Sequence, residues 1–142
     1  MCELHRFRLE LARRCKREQL ADTYGKFDGG AYVQSVDETL DRYRFAFIIE
    51  NDISDYYFSE RLTSCLAAQT VPVYLGARKI SEFFNTEGMI LLEKPDLDLA
   101  AGLVKECTQK RYEEMLPAIL ENYQRAQEYR NMQDYLYEHY LR

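Results

Sequence analysis

An α/β fold, built on a parallel sheet flanked by helices, is what this sequence predicts, and three observations lead there. The run from Tyr43 to Glu50 is aromatic and apolar without the alternation of a one-sided strand, as expected of a strand buried on both faces. Two more such runs, Val71 to Leu75 and Met89 to Leu92, lie downstream. Segments of helical character separate all three, giving the strand, helix, strand, helix, strand order of right-handed crossover units. A chain of 142 residues that is 46% hydrophobic fills one core, so a single domain is expected over residues 1–142, with a helical C-terminal segment over about 109–142.

The elements follow in order. Leu4, Phe7, Leu11 and Cys15 recur at helical spacing between Leu4 and Leu20, while Arg13, Arg14, Lys16 and Arg17 fill a solvated face. Ala21 to Tyr24, before Gly25, reads as a short strand, and Gly29-Gly30 marks a loop. Ser35 with Glu38 three residues on fits a capping box for a helix from Val36 to Arg42. The Tyr43 to Glu50 strand is then expected at the centre of the sheet. Ser59 is placed to cap a helix from Glu60 to about Gln69, and Ile80 to Phe84 makes a short helix between the last two strands. Pro72 fixes strand entry. Gly76 serves a tight turn after its strand, with close ligand approach as a second reading. Leu97 to about Thr108 is helical, and the tyrosine-rich stretch from Arg111 onward favours helix but is interrupted by Pro117.

Composition narrows the function classes. Cys2, Cys15, Cys65 and Cys107 are scattered with no C-x-x-C pair, and only two histidines are present, so free thiols in a reducing compartment and no metal site are expected. A net charge of −5 argues against nucleic acid as a partner, although a small anionic ligand needs only local positive potential. No apolar run approaches the roughly 20 residues of a spanning helix, and no signal-peptide core is visible, so the chain reads as soluble and cytoplasmic. The tyrosines at 112, 123, 129, 135, 137 and 140 leave peripheral membrane contact open, but their mixed-charge setting favours packing back on the domain. His5 and His139 read as surface or structural residues.

Ligands of such sheets sit beyond the carboxyl ends of the strands. The segment from Glu50 to Arg61 lies at that position, with polar and aromatic groups leading into a helix. A helix N-terminus suits a phosphate, Arg61 adds a guanidinium that grips phosphate oxygens in pairs, and Glu60 has acceptors for ribose hydroxyls. The plainer alternative is that Ser59 and Glu60 only favour the helix start while Arg61 meets solvent.

Three blocks of sequence carry a resemblance. Tyr43 through Asn51, then Tyr57-Phe58-Ser59-Glu60-Arg61-Leu62, then Thr70-Val71-Pro72-Val73-Tyr74-Leu75-Gly76, resemble in order and interval the α-1,3-fucosyltransferase family, glycosyltransferase family 10. That family's pattern is an aromatic-rich strand ending Phe-Glu-Asn, then Tyr-Val-Thr-Glu-Lys, then Gly-Thr-Val-Pro-Val-Tyr-x-Gly. Asp22-Thr23-Tyr24-Gly25-Lys26 and Gly29-Gly30 are similar to an earlier strand and glycine pair, and Arg6 lies where the family has an arginine. Arg61 stands for the family lysine, Ser59 for threonine, and Asp55 falls one position from the aspartate of many members.

The resemblance implies the Rossmann-like C-terminal half of a GT-B glycosyltransferase, which binds GDP-fucose for transfer to an acceptor sugar hydroxyl without a metal or other cofactor. It implies that Arg6 and Arg61 neutralise the pyrophosphate, that Asn51 and Tyr57 line the donor pocket, and that Glu60 holds the ribose. The acceptor glycan and the general base belong to an upstream domain that this chain lacks, so the chain alone is expected to be inactive or feeble. An exposed sheet edge then predicts self-association or a covering partner. Two rivals follow: a non-catalytic remnant or interaction module, and a transferase domain for another nucleotide sugar.

Overall fold

Val71 to Leu75 form the strand around which everything else is arranged, and all five residues are buried. The computed structural model of the protein describes residues 3–20 and 43–136, with side chains over 4–20 and 43–130. Strand β1 (Phe45–Ile49), strand β2 (Val71–Leu75) and strand β3 (Ile90–Leu91) form a parallel sheet in the order β1-β2-β3. Phe45 pairs with Val71 through to Ile49 with Leu75, while β3 meets β2 only at Val73 and Tyr74. Among the described residues β2, and not β1, is therefore central. The Tyr43 to Glu50 run is trimmed at both ends, and Met89 to Leu92 shrinks to two paired residues.

Pro72 is tolerated inside this central strand for a geometric reason. The Val71 N–H points to the β1 side, donating to Arg44 O at 2.7 Å. Alternation then puts the missing N–H of Pro72 on the β3 side, ahead of the first β3 pair at Val73.

Helices cover both faces. On one, helix α1 (Glu3–Glu18) lays Leu4, Phe7, Leu11 and Cys15 against Ile49, Leu75 and Leu92, joined by Ala100 of helix α3 (Leu97–Leu103). On the other, helix α2 (Glu60–Ala67) presents Leu62, Cys65 and Leu66 to Ile48 and Tyr74. Helix α4 (Gln109–Glu114) leads into helix α5 (Leu116–Leu136). Met115 and Ile119 close the core around Val71, Val73 and Ile90, and Ala126 joins the α2 cluster.

The Leu97 to Thr108 helix is shorter than its sequence suggests. It passes into a 3-10 turn at Val104–Glu106, and Thr108 instead caps α4, accepting the Arg111 N–H at 3.1 Å. The tail break falls at Met115, so Pro117 is the second residue of α5, in a first turn where its missing N–H is harmless. The tyrosines at 112 and 129 do pack back: Tyr112 donates to Gln69 O at 2.7 Å, and Tyr129 stacks with Phe58, Phe83 and Phe84. The segments Ala21 to Tyr24, Gly29-Gly30 and Val36 to Arg42, with Ser35, Cys2 and His139, lie outside the described residues. No described helix is long and apolar enough to cross a membrane.

Candidate functional site

Because Ile49 and Leu75 are paired, the chain leaves β1 and β2 at one level of the sheet. The two exit loops are tied together. Arg78 N–H donates to Ser54 O at 2.7 Å and Lys79 N–H to Asp55 O at 2.8 Å, with the Arg78 guanidinium 3.3 Å from the Asp55 carboxylate. Tyr56 is held in this seam: the Lys79 ammonium lies 5.4 Å from its ring centre, and Phe83 meets it edge-on. Tyr57 is turned outward, 61% exposed, with its backbone N–H bound to Ser54 Oγ at 3.1 Å.

Under these loops lies a carboxylate with no access to water. Glu50, the residue after β1, is 0% exposed. Its Oε2 accepts from the Ser59 N–H at 2.8 Å and from the Tyr74 hydroxyl at 3.0 Å, and its Oε1 accepts from the Ser59 hydroxyl at 2.5 Å. The Tyr74 oxygen in turn accepts the Ala77 N–H at 3.2 Å. Burial pushes the Tyr74 hydroxyl well above its ordinary titration range, with the Glu50 charge acting in the same direction, so it stays a donor. Gly76 closes over this group. A Cβ there would lie 2.6 Å from the Tyr74 hydroxyl oxygen and against Glu50 Cγ, so close packing of protein groups is what requires glycine at this position.

Ser59 begins α2 with an extended backbone, and its Oγ accepts the Arg61 N–H at 3.2 Å. Glu60 is exposed in the first turn, where a negative charge suits the helix dipole, and Arg61 is half-buried beside it. Asn51 is exposed at the start of the loop. Four of the five expected residues, Asn51, Tyr57, Glu60 and Arg61, therefore share one loop and the helix it enters.

Arg6 is placed differently. It is exposed on α1 and lines a cleft of about 360 Å³ whose other walls are Phe7, Glu10, Pro95, Asp96, Leu97 and Asp98, none of them from the β1 exit loop. The α1 arginine that touches the end of β1 is Arg8, which donates to Ile49 O at 3.2 Å and lies 2.9 Å from His5 Nδ1. His5 thus accepts from a guanidinium. Glu50 and Tyr74 are the residues that sequence reasoning passed over. The signal was present, a carboxylate ending an apolar strand nine residues before a helix-capping serine, but burial is a three-dimensional property.

The thiols and the metal-ligating side chains of the described residues are dispersed. No three His, Cys, Asp or Glu groups converge as a metal site. Cys15 and Cys65 are buried and Cys107 is half-buried, all as free thiols. Burial pushes each upward, Cys107 to about 11, away from reactive thiolate.

Comparison with known proteins places this arrangement. The description Glycosyltransferase family 10 (fucosyltransferase) C-term matches residues 1–94. Curated protein sequences give no match. Among solved structures, an α1,3-fucosyltransferase crystallised with GDP-fucose superposes with a TM-score of 0.67 at 21% identity, over 84% of this chain and 36% of that one. An α1,3-fucosyltransferase crystallised with GDP gives a TM-score of 0.65 at 22% identity, over 81% and 34%. A further α1,3-fucosyltransferase structure gives 0.62 at 22%, over 77% and 32%. The chain spans about a third of the length of these enzymes. Three parallel strands with flanking helices, and a family match over the strand and loop blocks that build the site, identify the chain as a member of glycosyltransferase family 10, the fucosyltransferases, matching its C-terminal part.

Proposed function

We propose that this chain is the donor-binding domain of a fucosyltransferase, taking GDP-fucose beyond the carboxyl ends of β1 and β2 for transfer of fucose to an acceptor sugar hydroxyl. The observation that carries the reading is the gathering of Asn51, Tyr57, Glu60 and Arg61 at the loop and helix N-terminus that follow β1.

Each group has a role its chemistry suits. The α2 N-terminus and the Arg61 guanidinium favour the pyrophosphate. Glu60 accepts from ribose hydroxyls. Tyr57 offers an exposed ring, and Asn51 stands exposed at the start of the loop. Arg61 also stabilises negative charge developing on the departing GDP, which lets the transfer proceed without a metal. The acceptor and the general base for its hydroxyl come from a second domain.

Calorimetric titration with GDP tests this. Wild type should bind saturably with UDP silent, and Arg61→Ala should weaken binding roughly 10- to 100-fold, the scale of losing a charged hydrogen bond. Glu60→Ala should weaken it less. Equal binding by wild type and both variants rules out the assigned site, and a folded wild type that ignores GDP favours a non-catalytic module. Binding of UDP instead points to another nucleotide sugar, for which the fork of Arg61 in the place of the family's lysine gives a structural motive.

A further inference from the structure

We propose that Glu50 is a positioning residue for the donor site: its buried carboxylate orients Ser59 and, through it, the first turn of α2 that carries Glu60 and Arg61. The inference rests on the donor-site reading above and extends it to a residue that no ligand would touch.

The argument is one of hydrogen counting. A serine hydroxyl has one hydrogen, and an ionised carboxylate only accepts. At 2.5 Å from Glu50 Oε1, the Ser59 hydrogen lies on that line, which leaves an oxygen lone pair for the Arg61 N–H at 3.2 Å. The Ser59 N–H goes to the other carboxylate oxygen at 2.8 Å, so the residue is gripped by both. Glu50 cannot swing, because the Tyr74 hydroxyl holds Oε2 at 3.0 Å and Gly76 packs on its Cγ. One residue thus closes the loop between β1 and α2 into a ring: Asn51 leaves it through the peptide bond, and Ser59 returns to it through side chain and backbone. The separation of Asn51 from Glu60 and Arg61 is fixed at that point. A carboxylate held in the core by neutral donors is an expensive way to fill space, and an apolar residue would fill it at lower cost. Placement of α2 gives the charge a purpose.

Glu50→Gln is the discriminating variant. Its carbonyl oxygen can keep the Ser59 N–H and Tyr74 bonds, but its amide N–H₂ then donates to the Ser59 hydroxyl, whose own hydrogen loses its charged acceptor and must turn elsewhere. The anchor that fixes the cap is weakened while the rest of it stays. Amide hydrogen exchange is expected to quicken about tenfold at the first turn of α2 and not in β2, with GDP Kd raised about tenfold, the scale of a lost helix cap. Ser59→Ala should behave alike and Ser59→Thr should preserve both readouts. If Glu50→Gln does not fold, Ser59→Ala decides. Exchange and Kd both within twofold of wild type overturn the proposal, and so does faster exchange with Kd unmoved, which leaves only a structural cap. Should wild type bind no GDP, the donor reading fails separately, and unchanged exchange in the variants is then what overturns the role of Glu50.

Discussion

Gly76 and Glu50 share a volume that has no room for one more carbon. Gly76→Ala brings its methyl against the Tyr74 hydroxyl and Glu50 Cγ, so the carboxylate or the strand end must shift. The expected cost is about 1–3 kcal/mol, the range for overpacking a filled core, read as a lower midpoint in thermal denaturation together with weakened GDP binding. At this scale the sequence was a partial guide. The start of α2 at Glu60 was legible because a capping serine fixes where a helix begins. Gly76 was legible as a required glycine after its strand, and the close approach there is made by the protein's own atoms. Arg6 and Arg8 are two residues apart on one helix, and spacing alone does not say which meets the end of a strand 41 residues away.

The helix that follows the matched region is attached by a device of side chains against backbone. Asn122 of α5, 0% exposed, accepts the Asn85 N–H at 2.8 Å and donates to Asn85 O at 2.9 Å, as a neighbouring strand would. Gly88 lets it approach, since a Cβ there would stand 2.7 Å from Asn122 Nδ2. Arg125 adds a bond to Phe83 O at 3.1 Å. Asn122→Ala leaves both backbone groups of half-buried Asn85 without their partner and should cost about 2 kcal/mol, measured as a shift in urea midpoint at constant slope. Asn122→Leu should do no better, because bulk replaces none of the bonds. α1, with its helical periodicity, and β1 and β2, with their unbroken apolar runs, were readable to within two residues. The short ones were not. β3 pairs at only two positions, and α3 hands over to a 3-10 turn because Thr108 caps a new helix, a competition between neighbours that no single window displays.

Across the whole molecule the titratable groups raised by burial all shift alike. Cys15, Cys65, Cys107, Tyr74 and Tyr112 keep their protons to higher pH when folded than when unfolded. The folded state then binds more protons than the unfolded one once pH passes the ordinary thiol and phenol values, about 8.5 and 10, so stability is intact below them and falls as pH rises beyond. Urea midpoints at pH 7.5, 9 and 10.5 should decline in that order, and a flat series contradicts the assignment. Cys65→Ser keeps a donor for Thr70 O and should soften the fall. The overall layering was legible because alternating strand and helix patterns force it, whereas the closure of the core by the C-terminal helices was not, since Met115, Ile119 and Ala126 meet residues far off in sequence. Those three lie beyond residue 94, where the family's sequence match ends, yet they bury the strands that carry the matched blocks. Recognition and closure thus fall to different stretches of one chain: the motif blocks sit within its first 94 residues, and the C-terminal helices seal the strands on which those blocks are carried.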